Sequence, residues 1–431
     1  MKHLILPIMA MTLLAACSPE TATVQGRRDV PPPQKPIIPK YDPIPADQIR
    51  WITLDGGQSE LDFNPKVDIL FVSDNSESMK SAQENLSRNI NRFVDAFQKN
   101  KMIDYHIGVV SVWDSSERFV KTKKDGYAIG ELRKLKNASG QISKSRFVSR
   151  FQGASEVLAA TLKIGIAPYA EGGPEREEMF SPLLATLKNT ADNPDTKDFF
   201  REDAQLVVVM ISDADDSTAS ITPEQMAQEL INFKAGKREK VSAYGALVKK
   251  SDPEDKKDWG LRVHERYHPE CFDFVQATGR NGRKVTTAKN NGQCKEGFGP
   301  DRLENFILAA NEGQGSPSDI RAQHIMSLVQ TDFGKDLAKI GADISIKTLA
   351  KDIRLPQRPR QDANGTLMLR VRYGSPEVLA QGKGQIIAQS QKGGWLYDPD
   401  NNSVKLSGDV EYNYQQGARF AIDMVPVTIR Q

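Results

Sequence analysis

The 431-residue chain has only three cysteines, almost no net charge and no Gly-rich phosphate loop. Its 58 basic and 56 acidic residues leave a formal charge of +2, which gives no reason to expect a nucleic acid or an acidic polymer as partner. The N-terminal apolar run, Leu4–Ala16, is too short to cross a membrane as a helix. The sequence signs of a phosphate-loop NTPase and of a hydrolase with a nucleophile elbow are both missing.

The first 16 residues are ordered like a secretory signal, with one lysine, an apolar run and then small residues. "LAAC", Leu14–Cys17, resembles the bacterial lipobox, whose cysteine is lipidated and becomes the new N-terminus. We therefore expect residues 1–16 to be a lipoprotein signal peptide and Cys17 to carry a lipid that anchors the protein to a membrane. Ser18 at the next position resembles lipoproteins sorted to an outer membrane. An ordinary cleaved signal with a chance cysteine is the alternative.

Residues 17–49 are rich in proline and have hardly any periodic apolar pattern, which favours an extended tether. At about 3.1 Å per residue, such a tether holds a folded domain up to ~90 Å from its anchor. We expect an α/β domain over residues 50–350, interrupted by a polar insertion at about 249–300. A β-rich module is expected over residues 351–431.

Two apolar runs carry the prediction of the fold class. "VDILFVS", Val67–Ser73, and "QLVVVMIS", Gln205–Ser212, have no polar alternation, as is typical of strands buried on both faces of a sheet. Helical patterns such as Met79–Lys99 alternate with these strands. The order predicts an α/β fold with a doubly wound, mostly parallel sheet, which is Rossmann-like.

The pattern changes near Ile353. Short alternating runs are separated there by Gly, Pro and Asn-Asn turns, which predicts a small antiparallel β module at the C-terminus. Residues around "RWITLDG", Arg50–Gly56, are candidate pairing partners for its edge strands.

Polar side chains follow both apolar strands. Asp74, Ser76 and Ser78 come directly after the first, and Asp213 comes directly after the second. Ligands of doubly wound sheets gather at the carboxyl ends of the strands, so these side chains are expected to meet. Carboxylate and hydroxyl oxygens suit Mg²⁺, Mn²⁺ or Ca²⁺ better than zinc. The sequence therefore predicts a divalent-cation site at this edge.

"DILFVSDNSESM" resembles the opening of a von Willebrand factor A domain with its metal-ion-dependent adhesion site, known as MIDAS. The D-x-S-x-S of that family falls on Asp74, Ser76 and Ser78, and its later aspartate falls on Asp213. "SDADDS" resembles the variant of secreted bacterial members, and the resemblance covers about Val67–Thr348. "EGGPEREEM" departs from the family, which has a threonine here. Glu175 is the candidate for that place, and its carboxylate would make the ion a weaker acceptor for a partner's carboxylate. The alternative is that the ion is lost or is held through water.

The resemblance implies an adhesin-like protein that binds rather than catalyses. A cation at the predicted site would engage a protein or cell-surface ligand, in adhesion or in assembly of the cell envelope. A structural envelope lipoprotein with a degenerate site is the second interpretation. The aspartate and serines would then only cap a helix, and Asp215 and Asp216 would be a solvated turn. A haloacid-dehalogenase-like enzyme would need a second aspartate in place of Ser76.

The insertion carries chemistry of its own. Cys271 and Cys294 form an even pair in an exported chain, which predicts a disulfide worth about 3 kcal/mol. "VHERYHPEC" contains the H-E-x-x-H pattern of zinc hydrolases at His264, Glu265 and His268. The Pro269 that follows at once disfavours the long helix such a site needs. A structural zinc site that uses both histidines and both cysteines is a further alternative.

Overall fold

The computed structural model describes residues 49–54, 65–99, 103–122, 126–137, 139–150, 153–189, 197–253, 272–279, 282–291, 299–330, 333–349, 351–413, 415 and 417–427. Within these ranges no helix is both long enough and apolar enough to cross a membrane. Cys17, Cys271 and Cys294 lie outside the described residues, as do His264, Glu265 and His268. The predicted lipidation, the disulfide and both zinc alternatives therefore stay predictions.

Strands and helices alternate through the first three-quarters of the chain. In chain order they are β1 (Ile52–Leu54), β2 (Lys66–Ser73), α1 (Lys80–Lys99), β3 (Asp104–Ser111), α2 (Glu117–Thr122), β4 (Phe147–Val148), α3 (Ala154–Leu162), α4 (Phe180–Asn189), β5 (Gln205–Ser212), α5 (Pro223–Phe233), β6 (Val241–Leu247), β7 (Phe272–Thr278), β8 (Lys284–Asn290), α6 (Asp301–Ala310), α7 (Pro317–His324), β9 (Ile325–Ser327) and α8 (Phe333–Leu349).

Short strands dominate the remainder. They are β10 (Lys351–Arg354), β11 (Leu369–Gly374), β12 (Gln385–Ile387), β13 (Trp395–Asp398), β14 (Ser403–Leu406) and β15 (Arg419–Met424), and one short helix, α9 (Pro376–Ala380), lies among them.

The central sheet has six strands in the order β4-β3-β2-β5-β6-β9. Neighbouring strands are parallel except at the β3–β4 edge. The first of these strands in sequence, β2, lies in the middle of the sheet. The chain then adds β3 and β4 on one side and β5, β6 and β9 on the other, which is the doubly wound order. The predicted fold class is therefore confirmed.

Helices cover both faces of this sheet because alternate residues of each strand point to opposite sides. On β2, Ile69 and Phe71 pack with residues of α1, α3 and α8. Leu70 and Val72 pack on the other side with residues of α4, α5 and α6. Two apolar layers therefore enclose β2, which explains why its sequence has no polar alternation.

The C-terminal strands form two antiparallel sheets, in the orders β1-β15-β11-β12 and β10-β14-β13. A third core fills this region and includes Trp395, Val371 and Ile422. β1 belongs here because Leu54 pairs with Ile422 and is buried in the same core. The predicted β module therefore includes β1, which precedes the α/β region in sequence. The division of the chain at residues 350 and 351 stays a prediction.

Candidate metal centre

The carboxyl ends of β2 and β5 lie side by side at one edge of the central sheet. The two strands are parallel, with Ser73 opposite Ile211. The backbone N–H of Asp74 donates to the carbonyl of Ile211 at 2.8 Å. Asp74 and Asp213 consequently leave adjacent strands at the same edge.

Hydrogen bonds join the two segments. The Ser78 hydroxyl donates to Asp213 Oδ1 at 3.1 Å, and its oxygen lies 3.0 Å from Ser76 Oγ. Asp74 Oδ1 accepts the backbone N–H of Ser76 at 2.7 Å, and Asp74 Oδ2 accepts the Ser212 hydroxyl at 2.8 Å. The four residues predicted from the sequence, Asp74, Ser76, Ser78 and Asp213, are brought together, and we call them the strand-end cluster.

The strand-end cluster is buried on one side and open on the other. Asp74 and Ser76 are buried, whereas Asp213 is half-buried and Ser78 is exposed. Burial and two hydrogen bonds fix the orientation of the Asp74 carboxylate. Solvent reaches the cluster from the side of Ser78 and Asp213, so an ion or a ligand could approach there.

The donor chemistry of the cluster fits a hard divalent cation. Two carboxylates and two hydroxyls supply only oxygen, the ligand type that Mg²⁺, Mn²⁺ and Ca²⁺ prefer. Throughout the described ranges, no group of three or more His, Cys, Asp or Glu side chains is placed to hold a metal. A cation at this edge would therefore depend on the serine hydroxyls as well as on the carboxylates.

A helix-capping role accounts for only part of this arrangement. Ser76 stands at the N-cap of the 3₁₀ turn Glu77–Met79, but its side chain makes no capping hydrogen bond. Asp74 does satisfy the backbone N–H of Ser76. Capping thus explains one oxygen of Asp74 and leaves the pairing of the two hydroxyls and Asp213 unexplained.

Glu175 makes no hydrogen bond to the strand-end cluster in the described part of the chain. Its side chain is exposed, and its backbone N–H donates to Asp114 Oδ2 at 2.9 Å. The preceding Gly173 is required by a close approach of two chain segments, because a Cβ there would lie 1.6 Å from the Ala167 carbonyl oxygen. Gly172 has a φ of 95°, which disfavours other residues. The Gly-Gly pair thus has a backbone role.

A second acidic group at the same edge was not anticipated from the sequence. Asp114 follows β3 and is buried, and Glu178 accepts both the backbone N–H and the hydroxyl of Ser115 at 2.9 Å. Burial alone would raise the pKa of Asp114, but N–H groups of Glu175 and Ser116 lower it below its usual value. The available signal was the strand–Asp pattern of "VVSVWDSS", which repeats that of β2 and β5.

Asp215 and Asp216 are buried groups that bond to two helix starts, and they do not form a solvated turn. Asp215 accepts the backbone N–H groups of Arg302 and Leu303 at 3.0 and 3.1 Å, at the start of α6. Asp216 accepts those of Met179 and Phe180 at 2.7 and 3.0 Å, at the start of α4. Negative charge is favourable at these helix ends. Burial raises the pKa of Asp215 to about 7, and the charge of Asp216 acts in the same direction.

The solved structures compared below resemble this fold only weakly. No protein-family model and no curated protein matches the chain. Among solved structures, proximal thread matrix protein 1 from the mussel byssus aligns with a TM-score of 0.31 and 11% identity over 67% of this chain and 50% of that chain. The same mussel protein with a zinc-occupied MIDAS motif gives 0.29 and 13%, over 68% and 48%.

The open conformation of the pilus adhesin SpaC from Lactobacillus rhamnosus GG gives a TM-score of 0.29 and 9% identity over 87% of this chain and 40% of that chain. The chain therefore spans at most half the length of these neighbours. They comprise a matrix protein and an adhesin, one described with a MIDAS motif. With such low scores, the fold assignment rests on strand order and not on these proteins.

Proposed function

We propose that this protein is a lipid-anchored binding protein of the cell envelope that engages a protein or surface ligand through a divalent cation. The observation that supports the proposal is the strand-end cluster just after β2 and β5, in which Ser78 Oγ lies 3.0 Å from Ser76 Oγ and donates to Asp213 Oδ1 at 3.1 Å. The resemblance of "DNSES" to the D-x-S-x-S of von Willebrand A domains supports the same reading. Adhesion is the role that fits best, and the chain is not an enzyme.

The residues of the strand-end cluster have different roles in this proposal. Asp74, held by the Ser76 N–H and the Ser212 hydroxyl, is a preset anionic oxygen ligand at the buried side. Ser78 and Asp213 lie at the solvent-accessible side of the cluster, where the ligand would approach. A bound Mg²⁺, Mn²⁺ or Ca²⁺ would offer a coordination position to a carboxylate of the ligand. The exposed carboxylate of Glu175 is the further candidate for the place of the missing threonine.

Calorimetric titration of Mg²⁺, Mn²⁺ and Ca²⁺ into the chelator-stripped protein tests the cation site. We expect saturable binding at one site, and the Asp213→Asn variant should bind at least about tenfold more weakly because it loses a charged ligand. Asp203→Asn is the matched control, since Asp203 is exposed just before β5 and pairs with Lys66 at 2.7 Å. No heat with any of the three ions, or equal weakening in both variants, would contradict the proposal.

Adhesion is tested with cells that display the protein. Attachment should be lost in EDTA, return with Mg²⁺, and be weak in the Asp213→Asn variant. Chelator-resistant attachment that survives this substitution would contradict capture through a cation.

The rest of the architecture is proposed from the sequence. Residues 1–16 are removed, Cys17 carries the lipid, and residues 17–49 tether an α/β domain (50–350) and a β module (351–431) to the outer membrane. Cys271 and Cys294 form a disulfide in the insertion. Mass spectrometry of the mature N-terminal peptide tests the anchor, because Cys17→Ser should abolish its acyl mass and release the protein without detergent.

A structural envelope lipoprotein is the second candidate function. Its support is that the cluster residues already satisfy one another with hydrogen bonds and that the family's threonine is missing. Under this alternative, Asp213→Asn changes neither ligand binding nor attachment. A zinc hydrolase at His264, Glu265 and His268 is the least favoured candidate, and zinc analysis with a Glu265→Ala variant tests it.

A further inference from the structure

A cleft of about 680 Å³ opens beside the edge strand β4. Its walls come from the hairpin that precedes β4, from β4 itself and from α3, and they include Lys136, Ser145, Phe147 and Val157. No residue of the strand-end cluster lines it. The volume is typical of small-molecule sites, which occupy roughly 300–1,000 Å³. We call this cavity the edge cleft.

Among the described residues that line the edge cleft, the charged ones are Lys136 and Arg146, and both are basic. Arg146 is engaged by the fold, since it pairs with Glu131 at 2.7 Å and donates to the Leu132 carbonyl at 2.6 Å. Lys136 makes no ion pair with any described acidic residue. The cleft therefore presents a half-buried ammonium group without a counter-ion in the described part of the chain.

Its surroundings make this ammonium group a favourable partner for an anion. Burial lowers the pKa of Lys136, and the nearby positive charge of Arg133 lowers it further. A bound anion would offset both effects. The Lys136 backbone is held in place, because its N–H donates to Thr161 Oγ1 at 3.0 Å.

The remaining lining shows which kind of anion fits. Ser145 and Ser149 also line the cleft, and their hydroxyls make no hydrogen bond to any other described residue, so they are able to donate to a ligand. Leu135, Phe147 and Val157 supply an apolar wall. An inorganic anion would leave that wall uncovered, whereas an organic acid would use both parts of the lining.

We propose that the edge cleft binds an organic carboxylate, with the Lys136 ammonium as its counter-ion, the Ser145 and Ser149 hydroxyls as donors and the apolar wall around its hydrocarbon part. The site is separate from the strand-end cluster and requires no metal. A free carboxylic acid and the C-terminal carboxylate of a peptide share this chemistry.

The test is a titration of the full chain with hexanoate and with N-acetyl-valyl-leucine, each followed by NMR. Hexanamide and inorganic phosphate are the comparison probes. We expect saturable binding of at least one carboxylate, with the tighter of the two identifying its source. Hexanamide and phosphate should bind at least about tenfold more weakly, since one lacks the charge and the other the apolar part.

Two variants locate the site. Lys136→Gln should weaken carboxylate binding at least about tenfold. Lys144→Gln should leave it unchanged, because Lys144 is exposed and lies between two lining serines without lining the cleft itself. Absence of saturable binding, equal binding of hexanamide, phosphate binding as tight as that of the carboxylates, or equal effects of both substitutions would overturn the proposal.

Amine labelling of the unmodified protein gives an independent readout if Lys136→Gln fails to fold. Acetylation of Lys136, quantified by mass spectrometry, should slow when hexanoate is present, while acetylation of Lys144 stays constant. Equal rates at Lys136 with and without hexanoate would overturn the proposal.

Discussion

His324, at the end of α7, lies in a buried group of polar side chains from three parts of the chain. Its ring stacks on Tyr244 at a centroid distance of 4.4 Å, and its Nδ1 lies 2.9 Å from the Ala243 carbonyl. The Lys347 ammonium lies 3.0 Å from Nε2 and pairs with Asp343 at 2.9 Å. A neutral imidazole ring makes both hydrogen bonds: Nδ1–H donates to the Ala243 carbonyl, and Nε2 accepts from the Lys347 ammonium.

We predict that this histidine destabilises the protein in acid. Burial, reinforced by the charge of Lys347, lowers the pKa of His324 to about 4 from the usual 6.5. Between these two pKa values the unfolded chain binds a proton at His324 and the folded chain does not. The free energy of unfolding therefore falls as the pH drops from about 6.5 towards 4, by up to ~1.4 kcal/mol per pH unit. Urea unfolding of the wild type and His324→Gln across this range checks it.

The variant should lack this component of the pH dependence, and above pH 7 the two proteins should have parallel profiles. Identical slopes between pH 6.5 and 4 would show that His324 titrates normally in the folded chain.

At the scale of single elements, α5 shows how local sequence sets a helix boundary. The Thr222 hydroxyl accepts the backbone N–H of Gln225 at 3.2 Å, and the Gln225 side chain accepts the backbone N–H of Thr222 at 2.9 Å. Pro223 occupies the first turn, where no backbone donor is needed. This capping box satisfies two N–H groups that the helix itself leaves without partners.

Thr222→Ala should therefore destabilise the protein by about 1 kcal/mol, because it removes the capping oxygen. Thr222→Ser keeps that oxygen and is the matched control. Chemical denaturation of the three proteins checks the prediction. Equal losses in both variants would assign the effect to the methyl group and not to the cap.

At the scale of the whole molecule, the first and the last strand of the described residues pair in one sheet. β1 pairs with β15 through Ile52–Met424, Thr53–Asp423 and Leu54–Ile422. The Thr53 hydroxyl also donates to Asp423 Oδ1 at 2.8 Å. The C-terminal sheets thus depend on residues that precede the entire α/β region.

Leu54→Ala should destabilise these sheets by about 2 kcal/mol, because a buried side chain leaves a cavity. Ile52→Ala is the control, since Ile52 is 36% exposed whereas Leu54 is 6% exposed. Hydrogen exchange should accelerate at β15 amides in the first variant and stay unchanged at β5. Unchanged exchange at β15 would mean that β1 contributes nothing to this core.

The sequence predicts a strand of the sheet well where burial of both faces requires a continuous run of apolar residues. β2 and β5 are continuous apolar runs because both of their faces are covered, and strand-end aspartates follow from the same pattern. β4 has no such apolar run, since Phe147 and Val148 form a strand only through pairing with β3.

Partners remote in sequence explain what was missed at the candidate site. Asp215 and Asp216 look like a hydrophilic turn, yet the N–H groups at the two helix starts that bond to them lie between 36 and 88 positions away. Glu178 is likewise tied to Ser115, 63 positions before it. Local patterns record which faces are buried, but not which helix end or loop lies opposite a carboxylate.

The central claim is that Asp74, Ser76, Ser78 and Asp213 surround one divalent cation. The most direct test is an anomalous difference map from crystals of the protein grown with Mn²⁺. We expect a peak within about 2.5 Å of oxygens from the cluster residues that follow β2 and from Asp213, which follows β5. A fully occupied peak elsewhere, or none at saturating Mn²⁺, would contradict it.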